Sequence, residues 1–301
     1  MTRQRAQLEE LTAPPTRMDI FRRRSVTVRR ALRANPTMTF GFFVLILAAV
    51  VAIFSAQITV HPHMKLDVQN RLKAPSSENW FGTDQLGRDV YARTVYGSRK
   101  SLLVGAAVAA ISLAGGTIFG LIAGYNRTLD KIIMRFADGL MAIPSILLAI
   151  ALVAIFSPSV WNVIFAISVV QIPSTTRVVR SSVLSLRERE FVEAARAVGA
   201  RPLRILVVHV FPNTIAPLLV MGTLIFALAI LSEAGLSFLG AGIPLEIPSW
   251  GNTMGGGRAF ATQAFWIIFY PGLFLSFTVL GINLIGDGLR DILDPRISRS
   301  G

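Results

Sequence analysis

Arg187-Glu188-Arg189-Glu190-Phe191-Val192-Glu193-Ala194-Ala195-Arg196-Ala197-Val198-Gly199-Ala200-Arg201-Pro202, running on through Leu203 to Phe211 and Pro212, is a long polar segment set between two apolar stretches. Phe191, Ala194, Ala195 and Val198 recur at helical spacing, which predicts a short helix with one apolar face and with Arg187, Arg189 and Arg196 in solvent. Gly199 suits the end of that helix, because glycine adopts a left-handed backbone without strain, and Pro202 suits the first turn of the next. Leu203, Leu206, Val207 and Val210 then form a second apolar stripe that leads into the following apolar run. Two short helices joined by a sharp bend present one compact knob, the shape of a docking element.

Working outward, 52% of the 301 residues are hydrophobic and 16% charged, with a mean hydropathy of +0.57. That balance belongs to a membrane protein rather than a soluble domain. A bilayer core of about 30 Å needs roughly 20 apolar residues per helix. By that measure, spans are expected near Met38 to Ile58, Ser101 to Tyr125, Ile132 to Phe156, Val160 to Val179, Ile215 to Leu236 and Phe265 to Ile285. The fourth has the shortest apolar run, since Pro173, Ser174, Thr175, Thr176 and Arg177 follow Ile172, and it is expected to continue as a helix leaving the bilayer. Pro144 within the third removes a backbone donor and predicts a packing kink.

Basic residues orient these spans. With the amino terminus in the cytoplasm, the inside segments carry 22 of the 30 Lys and Arg and the outside segments 8, which places both termini inside. Arg88, Arg93, Arg99 and Lys100 are the local exception, close to the second span on the outer side. The net charge of +13 draws most densely on Arg22 to Arg33, just before the first span. Anionic lipid headgroups account for that run, and no base-reading motif points to nucleic acid. The polar first 37 residues followed by a long apolar run predict an uncleaved anchor rather than a signal peptide. The absence of cysteine excludes disulfides, thiolate metal sites and cysteine nucleophiles.

The order Glu193-Ala194-Ala195, Gly199 and Pro212 resembles the EAA loop of permease subunits in bacterial ABC importers of the type I fold. His209 stands where isoleucine is usual in that pattern and Phe211 where leucine is usual; the histidine variant is familiar in the peptide-importer branch. Phe81-Gly82-Thr83-Asp84 with Gly87-Arg88-Asp89, Pro248-Ser249-Trp250-Gly251, and Gly286-Asp287-Gly288-Leu289-Arg290-Asp291 with Asp294-Pro295 resemble the second permease subunit of dipeptide and oligopeptide importers. The resemblance runs from about Phe40 to Arg296. It implies an all-α, six-span permease in a bacterial cytoplasmic membrane. Its partners would be a sister permease, two cytoplasmic ATPase subunits that bind ATP and Mg, and an external peptide-binding protein. Nickel, opines, glutathione and heme are alternative cargoes within the same family. The implied organisation is a cytoplasmic Arg-rich segment at 1–37, a first anchor at 38–58, an external segment at 59–100, a core at 101–285 carrying the cytoplasmic loop at 187–212, and a cytoplasmic tail at 286–301.

The residues agree with that division of labour. A phosphate-cradling Walker A loop needs a glycine, four residues and then Gly-Lys-Ser or Gly-Lys-Thr, and Gly97-Ser98-Arg99-Lys100-Ser101 lacks it. Force would therefore enter through the loop, with Glu193, Ala194, Ala195, Gly199, Arg201, Pro202, Leu203 and Pro212 as the ATPase-coupling residues. Gly116, Gly120 and Gly124, every fourth residue, predict close approach of another helix. Trp80, Asp84, Arg88, Asp89, Glu233 and Trp250 are candidate external or substrate-side residues. Trp80 and Trp250 are expected in an interfacial belt, and Glu233 near the outer interface, bonding either the Gly235 to Gly242 turn or the substrate. Asp138 is expected at the inner interface with Arg135.

Three other readings carry less. His61 and His63 without a third ligand make a poor metal site. A stand-alone secondary carrier or channel needs more membrane-buried charge than Glu233 supplies. An intramembrane hydrolase built on Gly235-Leu236-Ser237-Phe238-Leu239-Gly240 needs a histidine within reach, and of the three histidines, at 61, 63 and 209, His209 lies on the opposite side of the membrane from Ser237.

Overall fold

The structure is a computed structural model and describes residues 35–293; the Arg22 to Arg33 run, the Asp294-Pro295 pair and the remaining tail residues lie outside them. Among the described residues the regular elements are all helical, with one isolated bridge between Thr83 and Asp89 in the loop that precedes the helix starting at Val90. Pro36 opens the first helix, α1 (Pro36–Ile53), at the position where its missing N–H costs nothing. A break at Phe54 separates α1 from the single turn α2 (Ser55–Ile58). The second expected span is longer than its apolar run: α3 (Val90–Tyr125) begins where the Asp89 carboxylate accepts the Tyr91 N–H at 3.1 Å.

The third expected span is corrected. Rather than one kinked helix, it is two, α4 (Arg127–Met141) and α5 (Ser145–Phe156), bent by 93°. Pro144 takes an extended backbone (φ −53°, ψ 127°) as the cap of α5, so the helix stops instead of bending. The composition on either side also differs: α4 is amphipathic and α5 apolar all round. Among the described residues five helices are long and apolar enough to cross a bilayer, and the bent pair makes up to six.

The fourth, α6 (Val160–Leu186), passes through Pro173 without a break and carries the polar stretch as helix. It leads to α7 (Glu190–Ala197), α8 (Pro202–Arg204), a π-helical turn at Ile205–Val210, and α9 (Phe211–Phe238). A short buried helix, α10 (Trp250–Gly257), precedes α11 (Trp266–Leu293).

Small residues bring these helices together, as expected where lipid offers no hydrophobic contrast. A Cβ on Gly116, Gly120 or Gly124 of α3 would fall 2.4 Å from Thr175 Cβ, 2.6 Å from Val179 Cβ and 2.6 Å from Val183 Cβ of α6. Both partner rows advance by four residues, so the two helices run side by side at backbone contact. α1 and α11 meet likewise: a Cβ on Gly41 would lie 2.5 Å from Gly281 O. The main core gathers Val104 and Val108 of α3, Val163, Ile164 and Ile167 of α6, and Ile225, Ala229 and Leu236 of α9.

Candidate coupling site

α7 ends in a Schellman motif. Gly199, at φ +76°, donates to Arg196 O at 2.9 Å, and Ala200 donates to Ala195 O at 3.0 Å, which closes the last carbonyls of the helix. Pro202 then starts the next turn. Val192 and Ala195 turn inward against Val179 and Val183 of α6 and Leu218 of α9. Phe191 and Val198 stay outside, Val198 at 83% exposure, as does Leu203 at 71%. The apolar face expected on α7 is therefore divided, one half anchoring the knob and the other open.

The second stripe is also corrected. Val210 is buried and Leu206 packs against the same cluster, as expected, while Leu203 and Val207 are exposed and Ile205, outside the expected stripe, is buried. The π-helical turn over Ile205–Val210 departs from 3.6 residues per turn, so the expected spacing finds Leu206 and Val210 but includes Leu203 and Val207 and misses Ile205. The turn joins directly to α9, so the second arm of the knob is the foot of a membrane-spanning helix.

Around the bend lies an open groove of about 760 Å³ lined by Phe191, Ala194, Ala195, Val198, Gly199, Ala200, Arg201, Arg204 and His209. It combines an apolar floor with a basic rim. Glu193 and Pro212 are exposed, and Pro202 lies in the exposed outer turn. Of the eight residues proposed for coupling, Ala195 alone is buried.

Two ion pairs that the sequence reading did not find tie α4 to α6 next to this knob. Arg180 grips Asp130 through both Nε and Nη2, the latter at 2.7 Å, and Arg177 Nη2 reaches Asp138 Oδ1 at 2.7 Å. Asp138 thus pairs with Arg177 and not with Arg135, because the bend at Pro144 lays α4 across α6. Spacing within α4 could not have signalled a partner 39 residues away.

The candidate external residues divide sharply. Trp80 is exposed and packs its ring 4.9 Å from Tyr91. Asp84, Arg88 and Asp89 are corrected to internal scaffold. Asp84, at 2% exposure, accepts from Leu86 N, Arg88 N and Arg88 Nε. Asp89 caps α3, and burial pushes its carboxyl above the usual range against the opposing Tyr91 N–H bond. Gly82 and Gly87 both have positive φ, and a Cβ on Gly87 would strike Asp67 O at 1.7 Å. This loop is pinned to α11, since Trp266 Nε1 donates to Thr83 O at 3.2 Å. His61 Nε2 sits 3.3 Å from Glu78 O, and His63 stacks on Tyr96 at 4.1 Å.

Trp250 is corrected too. It has no exposed surface, and its Nε1 donates to Thr94 O at 3.0 Å. Glu233 is likewise fully buried. Its Oε1 accepts from Ser237 at 2.9 Å and Ser249 at 2.8 Å, and its Oε2 from Ser101 at 3.4 Å. The serines in turn accept backbone N–H groups from Ile243, Asn252 and Trp250. Glu233 therefore knots α3, α9 and α10 to the loop at Ile243, and no face of it is open to a cargo.

Comparison with known proteins agrees with this geometry. Residues 116–299 match the family model described as "binding-protein-dependent transport system inner membrane component". A probable peptide ABC transporter permease protein of Sinorhizobium fredii is 49% identical, over 91% of this chain and 94% of its own. The dipeptide transport system permease protein of Alkalihalophilus pseudofirmus is 45% identical, over 89% and 88%. The oligopeptide transport system permease protein of Bacillus subtilis is 38% identical, over 89% and 88%. The chain belongs to the family of binding-protein-dependent transport system inner membrane components, as a multi-pass permease subunit of an ABC importer.

Proposed function

We propose that this chain forms half of the translocation pathway of an importer for dipeptides or oligopeptides, with both termini in the cytoplasm and the membrane being the bacterial inner membrane. A sister permease supplies the other half, and an external peptide-binding protein delivers the cargo. Two cytoplasmic ATPase subunits bind ATP and Mg; this chain binds neither. The relatives named for peptide, dipeptide and oligopeptide transport support the cargo.

One observation carries the coupling mechanism: an exposed knob, anchored by Val192 and Ala195, whose second arm continues as α9. Its groove offers Phe191 and Val198 to an apolar surface of an ATPase subunit and Arg201 and Arg204 to its acidic groups. Movement of the ATPase pair then displaces α6 and α9 together, because both pack on the buried side of the same knob.

The natural chain has no cysteine, so Val198→Cys in the full complex is a clean cross-linking probe. It should join to a cysteine placed on an ATPase subunit, in a yield that changes with nucleotide. A Cβ at Gly199 would meet nothing within 4 Å, so the main cost expected of Gly199→Val is left-handed strain, about 1–2 kcal/mol. It should reduce ATP-driven uptake of labelled tripeptide while the complex stays folded. No cross-link together with normal uptake by the valine variant would overturn the reading.

A further inference from the structure

α1 and α11 enclose a groove of about 380 Å³, apart from the coupling knob and lined almost wholly by carbon. Its walls are Phe40, Val44, Ala48 and Val51 on α1, recurring on one face, and Phe274 and Phe277 on α11. The helices touch at Gly41 and Gly281 and run antiparallel, since Met38 meets Gly288. Measured along α11, the groove lies on one side of the Gly281 contact, toward Trp266 and the carboxyl end of α1.

At that end stands a positive charge. Arg99 of α3 is exposed, and it donates through Nε to Ala52 O at 2.6 Å and through Nη2 to Ile53 O at 2.9 Å, next to Val51 at the mouth of the groove. A guanidinium has five N–H donors in a fixed fork, so these two bonds hold the head in place and leave others for an anion. Lys100 follows it in sequence, half-buried.

We propose that this groove is a site for one anionic phospholipid of the leaflet on the Arg99 side, with its phosphate on Arg99 and an acyl chain between α1 and α11. The dimensions fit. From Phe40 to Val51 the wall rises roughly 16 Å at 1.5 Å per residue, against roughly 15 Å for half of a 30 Å hydrocarbon core. Guanidinium geometry suits phosphate over the zwitterionic alternative, whose choline or ethanolamine charge opposes Arg99.

The test uses the complete importer in nanodiscs of equal phosphatidylglycerol and phosphatidylcholine, with retained lipid measured after detergent exchange. Wild type should retain phosphatidylglycerol over phosphatidylcholine by about fivefold, the preference expected of one basic residue at a membrane surface. Ala48→Trp fills the slot and should abolish retention of both lipids. Leu147→Trp, an exposed position on α5, should leave retention unchanged and so separates slot filling from general damage. Arg99→Gln should keep a lipid but lose the preference. Unaltered retention by Ala48→Trp, an unaltered preference in Arg99→Gln, or an Ala48→Cys cross-link to the sister permease with no lipid bound would each overturn the proposal.

Discussion

Removing the Glu233 carboxylate should unfasten the end of the bundle where α3, α9 and α10 meet. Glu233→Ala strands three buried hydroxyl donors, those of Ser101, Ser237 and Ser249. An unsatisfied buried donor costs about 1–3 kcal/mol, but the three are not equal. Ser237, within α9, can turn its proton to a carbonyl one turn back, and Ser101 already bonds weakly at 3.4 Å. Ser249 has least recourse, because its oxygen caps α10 by accepting Asn252 N at 3.1 Å. The sum is about 2–5 kcal/mol, and at about 2 °C per kcal/mol for a chain of this size it lowers the melting temperature by roughly 4–10 °C. Glu233→Gln keeps Oε1 for Ser237 and Ser249 and offers its amide to Ser101, so it should fall within about 1 kcal/mol of wild type. Thermal unfolding of the purified complex at one fixed scan rate gives the comparison, with tripeptide uptake measured in parallel. An alanine variant that melts with the wild type would refute the reasoning. So would a glutamine variant that melts normally yet fails to transport, since that pattern marks a cargo contact.

Gly120→Leu should destabilise by at least about 1–3 kcal/mol, the ordinary cost of overpacking, because its Cβ would lie 2.6 Å from Val179 Cβ and 2.8 Å from Thr176 O, which is backbone. Gly139→Ala on α4, with nothing within 4 Å, is the control and should be neutral or slightly stabilising in the same melting assay. His63 carries a pH prediction: burial, then Arg93 and Arg99, lower its pKa from the ordinary 6.5, so the unfolded chain binds its proton more readily than the folded one. The stability it contributes is present above pH 6.5 and is lost as pH falls from there toward the depressed folded value. His63→Phe keeps a ring on Tyr96 and cannot titrate; the difference in melting temperature between it and wild type should move in its favour on acidification, and parallel curves would dismiss the effect.

What could be read from the chain alone was whatever depends on neighbours in sequence. Gly199 and Pro202 specify the bend through backbone conformation and a missing N–H. Gly116, Gly120 and Gly124 mark a helix contact by periodicity, and the long apolar runs announce the spans through the thickness of the bilayer. Only the tertiary structure decided which polar residues face inward. Trp250 looks like an interfacial group because its partner, Thr94, lies on another segment, and Glu233 bonds Ser237 of the Gly235 to Gly242 turn, one of its expected partners, but also Ser101 and Ser249, which no local spacing links to it. Arg177 and Asp138 find each other because the helix breaks at Pro144 by 93° instead of kinking. Ile205 is buried although the expected stripe leaves it out, because the chain from Ile205 to Val210 is a π turn rather than an α-helix. Local rules fix backbone and periodicity, but burial and pairing are properties of the assembled helices, set by which surfaces come within a few ångströms once the bundle has closed.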